Sequence, residues 1–226
     1  MLNTLEQNKH YLLPVFALAS VIYILSSPFT PYLFSPLVKV FPILLLIVLA
    51  GVNLTGKVRT LMMLALILSG TGDVLLAIEF SNSFVFGLGA FLCAHVVYIY
   101  LFARFTGKTH AMLKLAGCAI VLLYAAFMLT KVLPEQTVMR VAVMCYLSVI
   151  SFMTIVAIWC AKSTTKFLVL GAAIFVISDS FIAWNMFHSP IAHNSYWVMS
   201  TYYLAQLLIL LGVTQASREL TPVAHP

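Results

Sequence analysis

The sequence predicts an all-α fold: a polytopic membrane helix bundle of eight transmembrane helices, built as a parallel repeat of four plus four, with both termini cytoplasmic. Three observations carry this expectation. Only 8% of the 226 residues are charged and 63% are hydrophobic, whereas a soluble domain carries about 25% charged residues. Apolar runs close to the roughly 20 residues that cross a hydrocarbon core recur along the whole chain. Basic residues gather in alternate connections, as the positive-inside rule requires of a multi-pass protein.

The runs are bounded by Pro, Gly or charge clusters, which place spans at about 11–26, 36–54, 60–78, 83–104, 111–130, 138–160, 165–188 and 194–216 of a single integral membrane domain, 1–226. The first follows the polar "MLNTLEQNKH" and has no small-residue cleavage site after it, so it reads as a span and not as a signal peptide. "SSPFTPYLFSP" separates it from the second, and "TGKVR" opens the third. "EFSNS" precedes the fourth, "RFTGKTH" the fifth and "KVLPEQT" the sixth. "AKSTTK" and "FHSPIAHN" introduce the last two. Nine basic residues (Lys9, Lys57, Arg59, Arg104, Lys108, Lys114, Lys162, Lys166 and Arg218) fall on the side of the two termini. Lys131 and Arg140 fall on the other side, and Lys39 lies within the membrane at the start of span two. That asymmetry orients the bundle and supports an even helix count. The expected setting is the inner membrane of a bacterium.

The composition excludes a water-soluble protein and leaves the bundle to carry any chemistry. The net charge of +6 sits at helix ends, so nucleic acid is not an expected partner; the lipid bilayer is. Cys93, Cys118, Cys145 and Cys160 are scattered without paired spacing, which reads as free thiols, not a zinc site or disulfide framework.

Four of the acidic residues (Glu6, Glu79, Glu135 and Glu219) fall in loops, tails or a span end, which leaves Asp73 and Asp179 inside the membrane. A charge there costs about 2.5–3.5 kcal/mol on insertion scales, so an aspartate in a span marks function by default. Counted from span starts near 60 and 166, both lie 13 residues in, or roughly 20 Å. Matched depth on parallel spans lets the two meet across the interior. His95 on span four lies roughly 14 Å above the terminal side, and Phe91 and Tyr98 share its face. "GDVLLA" and "SDSFIA" echo one another at an offset of 106, and at 105 Phe91, His95 and Tyr98 fall on Tyr196, Ser200 and Tyr203. This is the sign of a parallel repeat.

Other polar residues have a structural reading beside a functional one. Lys39, in "SPLVKVFP", can snorkel to the interface. Ser178 can bond back to its helix carbonyls. Gln206, beside Tyr202 and Tyr203 in "TYYLAQLLI", wants a partner on another helix. Asn185 on span seven completes the polar candidates.

Burial favours the neutral form of a carboxyl group, and two carboxylates in one site resist joint ionisation. One neutral acid beside one carboxylate suits general acid–base work. Three functions use such a pair: water addition to a membrane substrate, peptide hydrolysis by an aspartyl dyad, and proton-coupled transport of a small molecule or lipid. Gly70-Thr71-Gly72-Asp73 matches the GxGD motif of presenilin-type intramembrane proteases. In those proteases a Tyr-Asp pair comes first and Pro-Ala-Leu follows later. Here GxGD comes first, the second aspartate follows Ser178 four helices on, and Pro-Ala-Leu is absent.

A resemblance covers nearly the whole chain. Lys39 and Pro42 in span two, "GDVLLA" with Gly72 and Asp73, "FVFGLGAFLCAHVVY" with Gly87, Phe91, His95 and Tyr98, "ISD" with Ser178 and Asp179, and "YYLAQ" with Tyr203 and Gln206 together resemble the YhhN family of eight-helix membrane lysoplasmalogenases. Lys39 departs from that pattern in being separated from Pro42. The resemblance implies a lysophospholipid substrate and hydrolysis of the vinyl ether of a lysoplasmalogen, with an ethanolamine or choline head, to a fatty aldehyde and a glycerophospho-base. It needs no metal or organic cofactor. Asp73 and Asp179 would be the acid–base pair, with no sign of which is the acid. His95, Tyr98, Ser178, Asn185, Tyr203 and Gln206 would position water or substrate, and Lys39 would meet the phosphate.

Overall fold

The computed structural model describes residues 9–78, 80–105, 111–160 and 166–220. Among these the chain is all-helical, with eight helices long and apolar enough to cross a membrane: α1 (Lys9–Ser26), α2 (Ser35–Asn53), α3 (Gly56–Ala77), α4 (Ser83–Phe102), α5 (Ala111–Val132), α6 (Thr137–Cys160), α7 (Lys166–Phe187) and α8 (Asn194–Leu220). A short 3-10 turn, Ser27–Phe29, follows α1. With no water inside a bilayer, a helix is the form that satisfies every backbone group within the segment. Glu6, Glu79, Lys108 and Lys162, used above to place loops, lie outside the described residues.

The connection from α2 to α3 is shorter than the sequence suggests. Leu54 and Thr55 are extended, and Gly56 turns the chain at φ +55°, a left-handed conformation that glycine adopts without a Cβ penalty. Helix α3 therefore starts before residue 60 and takes Lys57 and Arg59 into its first turns. Asp73 becomes the eighteenth residue of α3, whereas Asp179 is the fourteenth of α7. The expected equality of the two positions is not kept. Asp73 sits four residues from the end of α3, and Asp179 eight from the end of α7.

Helix α8 is the centre of the bundle, with 67% of its span buried against 28% for α1 and only 11% for α5. It packs most closely on α7, where small residues let the backbones approach. A Cβ at Gly212 would overlap the Leu168 nitrogen, and one at Gly171 would lie 2.8 Å from the Ile209 nitrogen. The pair α3 and α4 closes in the same manner: a Cβ at Gly72 would stand 2.6 Å from the Phe91 ring. These two close pairs bring α3, α4, α7 and α8 together with both aspartates inside.

Candidate active site

The first cluster gathers on α3. Asp73, 2% exposed, receives Tyr202 of α8, whose hydroxyl donates to Oδ2 at 2.7 Å. Lys39 of α2 places Nζ 3.6 Å from Oδ1. The lysine is buried and points inward, so its ammonium pairs with a carboxylate instead of snorkelling. Its backbone carbonyl accepts the Tyr203 hydroxyl at 2.6 Å, which ties α2 to α8. The Tyr203 ring in turn meets Tyr23 and Phe16 of α1 edge-on at 6.2 and 6.4 Å.

The second cluster gathers on α7. The Tyr146 hydroxyl of α6 donates to Asp179 Oδ2 at 2.5 Å. His95 of α4 holds Nε2 3.9 Å from the same oxygen, close enough for charge interaction and too far for a hydrogen bond. The His95 ring is fully buried against Phe175 at 4.8 Å and Tyr146 at 5.3 Å. Neither of its nitrogens has a hydrogen-bond partner among the described residues, and a buried polar group without one is expensive.

An aromatic wall joins the clusters. Tyr202, whose hydroxyl holds Asp73, meets Phe91 and Phe175 edge-on at 5.7 and 5.6 Å, and those two rings meet each other at 6.4 Å. A turn farther along, the Tyr98 hydroxyl donates to Gln206 Oε1 at 2.6 Å with both side chains fully buried. This is the interhelical partner that an intramembrane glutamine needs.

Asp179 and Tyr146 open on a cavity that Asp73 does not line. The cavity has about 660 Å³ of atom-free space including its mouth, and Leu76, Phe84, Leu88, Phe91, Met128, Val132, Ile150, Val176 and Phe187 form its apolar walls. These residues come from the half of the bundle where α3, α5 and α7 end. The carboxyl of Asp179 and the hydroxyls of Tyr146 and Ser180 are the polar side-chain groups of this lining.

The structure thus brings Lys39, Asp73, His95 and Asp179 into two adjoining clusters, with Tyr203, Tyr98 and Gln206 beside them. It does not bring Ser178 or Asn185 there. Ser178 donates to the Val198 carbonyl at 3.0 Å, across to α8 instead of back along its own helix. Exposed Asn185 accepts the Ile191 backbone N–H at 2.9 Å and closes the turn after α7. Two contributors escaped the sequence reading: Tyr146, and the carboxylate role of Tyr202. The available signal for Tyr146 was its place, ten residues into α6 and away from the interfacial belt where intramembrane tyrosines usually gather.

The YhhN family model matches residues 34–213, a stretch that contains Lys39, Asp73, His95, Tyr146, Asp179 and Tyr202. The chain is 31% identical over 210 residues to the lysoplasmalogenase TMEM86B of Sus scrofa, covering 92% of this chain and 88% of the relative. It is 32% identical over 232 residues to the lysoplasmalogenase TMEM86A of Homo sapiens, covering 95% and 91%. A lysoplasmalogenase of Mycobacterium tuberculosis is 31% identical over 186 residues, covering 78% and 69%. No solved structure matches. With eight apolar helices and a match that runs from the start of α2 into α8, the chain belongs to the YhhN family.

Proposed function

We propose that this protein is a membrane hydrolase that cleaves the vinyl ether bond of a lysoplasmalogen, releasing a fatty aldehyde and a glycerophospho-ethanolamine or glycerophospho-choline. The observation that carries the reading is Asp179, an acid on the wall of an apolar cavity whose neighbouring carboxylate, Asp73, already has its own cation. The names of the relatives point to the same substrate.

The two aspartates divide the work. Asp179 pairs with no Lys or Arg among the described residues and carries the transferable proton. Tyr146 occupies Oδ2, which leaves Oδ1 to present that proton to the cavity. The proton goes to the β-carbon of the vinyl ether, where the C=C electron pair becomes the new C–H bond. A lone pair of the ether oxygen then makes the oxocarbenium ion. Asp73, ionised against Lys39 in the adjoining cluster, contributes fixed negative charge to the field at the developing cation, the preorganised stabilisation that low-dielectric sites supply best. Water adds to the cationic carbon and returns a proton to the Asp179 carboxylate. His95, whose nitrogens make no hydrogen bond among the described residues, orients that water. The hemiacetal then collapses: its bond to the glycerol oxygen breaks, and that oxygen takes the hydroxyl proton. The route uses no cofactor.

Lys39 serves this scheme as the partner of Asp73 and not as a phosphate ligand. Lys39 and Tyr146 stand 107 positions apart, as do His95 and Tyr202, while Asp73 and Asp179 are 106 apart. Those correspondences support a parallel repeat in which each half supplies one aspartate. Charge asymmetry supports cytoplasmic termini in a bacterial inner membrane.

The test is aldehyde release by detergent-purified protein from a lysoplasmalogen, with the saturated ether analogue as control. Aldehyde from the vinyl ether alone supports the reading. Well-folded protein that releases none would overturn it, and proton-coupled flux in proteoliposomes would then put a transporter in its place.

A further inference from the structure

A second groove lies on the outer surface of the bundle between α5 and α7, lined by Tyr124, Phe127, Met128, Ile177, Ser180 and Trp184, among others. Met128 and Ser180 also line the inner cavity that holds Asp179. These two nearly buried side chains are therefore the shared boundary between the cavity and the bilayer-facing surface. The boundary is thin and soft. Met128 is unbranched and polarisable, the side chain most easily displaced. Ser180 is small, and its hydroxyl is occupied by the Val176 carbonyl of its own helix, so it does not latch α7 to α5. The contact His188 Nδ1 to the Lys131 carbonyl, 3.2 Å, lies at the end of the seam, beyond the shared residues. Helix α5 is the least buried of the eight, and so the one most easily moved.

We propose that the α5–α7 seam is a lateral portal for the single alkenyl chain of the substrate, which enters from the bilayer past Met128 and Ser180. The inference rests on the reading of the protein as a lysoplasmalogen hydrolase. A long apolar chain gains nothing by leaving the hydrocarbon for water, since every methylene exposed is penalised; a sideways entrance keeps it in lipid throughout. The vinyl ether then stops at Asp179, and the rest of the chain lies in the outer groove along Phe127 and Trp184, whose rings stack at 6.3 Å.

Two measurements decide it. First, the wild-type protein is irradiated with a non-cleavable saturated-ether lysolipid carrying a diazirine at mid-chain, and the adducts are mapped by mass spectrometry. Adducts on α5 at 124–128 and on α7 at 177–184 are expected. Adducts concentrated on another surface, such as the α1–α2 groove at Ile22, Leu37 and Phe41, would overturn the portal. Second, Met128→Cys, in a background with the four native cysteines replaced by alanine, is labelled with an alkyl methanethiosulfonate. The ratio of kcat/KM for a long-chain lysoplasmalogen to that for a short propenyl analogue should fall at least tenfold, and reductant should restore it. An unchanged ratio overturns the portal. The readings fail separately: adducts at the seam without aldehyde release sink the hydrolase, and aldehyde release with adducts elsewhere sinks the portal alone.

Discussion

Lys39 and Tyr146 play the same part in two adjoining clusters: each reaches a carboxyl oxygen of the aspartate on the helix that follows its own. The partner from α2 is a cation and the partner from α6 a neutral hydroxyl. That difference divides the proposed labour between Asp73 and Asp179, and it supplies most of the tests.

If Asp179 delivers the proton, Asp179→Asn should lower aldehyde release by about three to four orders of magnitude, the upper range for losing a general acid. Asp73→Asn should lose about 10²–10³-fold, as when one stabilising group is removed. Single-turnover assays on both variants check the order; the reverse order would exchange the roles.

Carbon protonation leaves an isotopic record. In heavy water each aldehyde released should carry one deuterium at the carbon next to the carbonyl, read by mass spectrometry. Aldehyde without that deuterium would mean that the carbon–oxygen bond breaks by another route.

Lys39→Met strands a buried carboxylate, and loss of one partner of such a pair costs about 3–5 kcal/mol. Thermal unfolding in detergent should therefore fall well below the wild type. Lys39→Met with Asp73→Asn should recover most of that stability and none of the activity. Recovery of both would remove Asp73 from the chemistry.

Tyr146→Phe deletes the hydroxyl that fixes Asp179 and keeps the ring against His95. The bond strengthens as Asp179 gives up its proton and becomes a carboxylate, and a hydrogen bond to a charged group contributes about 1.5–3 kcal/mol, so kcat should drop roughly ten- to a hundredfold with KM little changed. A rise in KM at constant kcat would place the hydroxyl in substrate binding.

Gly212→Ala tests the α7–α8 contact, because the added Cβ meets Leu168 backbone. Overpacking of this kind costs about 1–3 kcal/mol, and melting of the purified protein should show it. Gly89→Ala, where a Cβ meets nothing within 4 Å, is the matched control.

The eight helices were legible because a bilayer demands one pattern, a long apolar run, and the chain repeats it. The two aspartates were legible because charge is rare in that setting. Depth was not, since it hinged on Gly56, whose left-handed turn shortens the α2–α3 connection and moves the start of α3. Partner choice was also hidden. The offset read from sequence set His95 against Ser200, whereas the geometry gives its counterpart role to Tyr202, two positions on. A slip of two residues on a helix turns a side chain through more than half a circle, and only packing decides which face meets the carboxyl group. Ser178 illustrates the same limit: one step along the chain from Asp179 turns the side chain about 100° around the helix, where it bonds to α8.

The central position of α8 has a consequence for biogenesis. A ribosome releases the chain from its N-terminus onward, so α1 to α7 enter the membrane before the helix around which they pack. Until α8 arrives, Asp73 lacks Tyr202, Lys39 lacks the tie to Tyr203, and Tyr98 has no Gln206. Nascent chains must hold an unfilled centre, and a carboxylate without its hydroxyl partner, for the time needed to make and insert α8. A chain halted before α8 would present quality control with unpaired polar groups in the membrane.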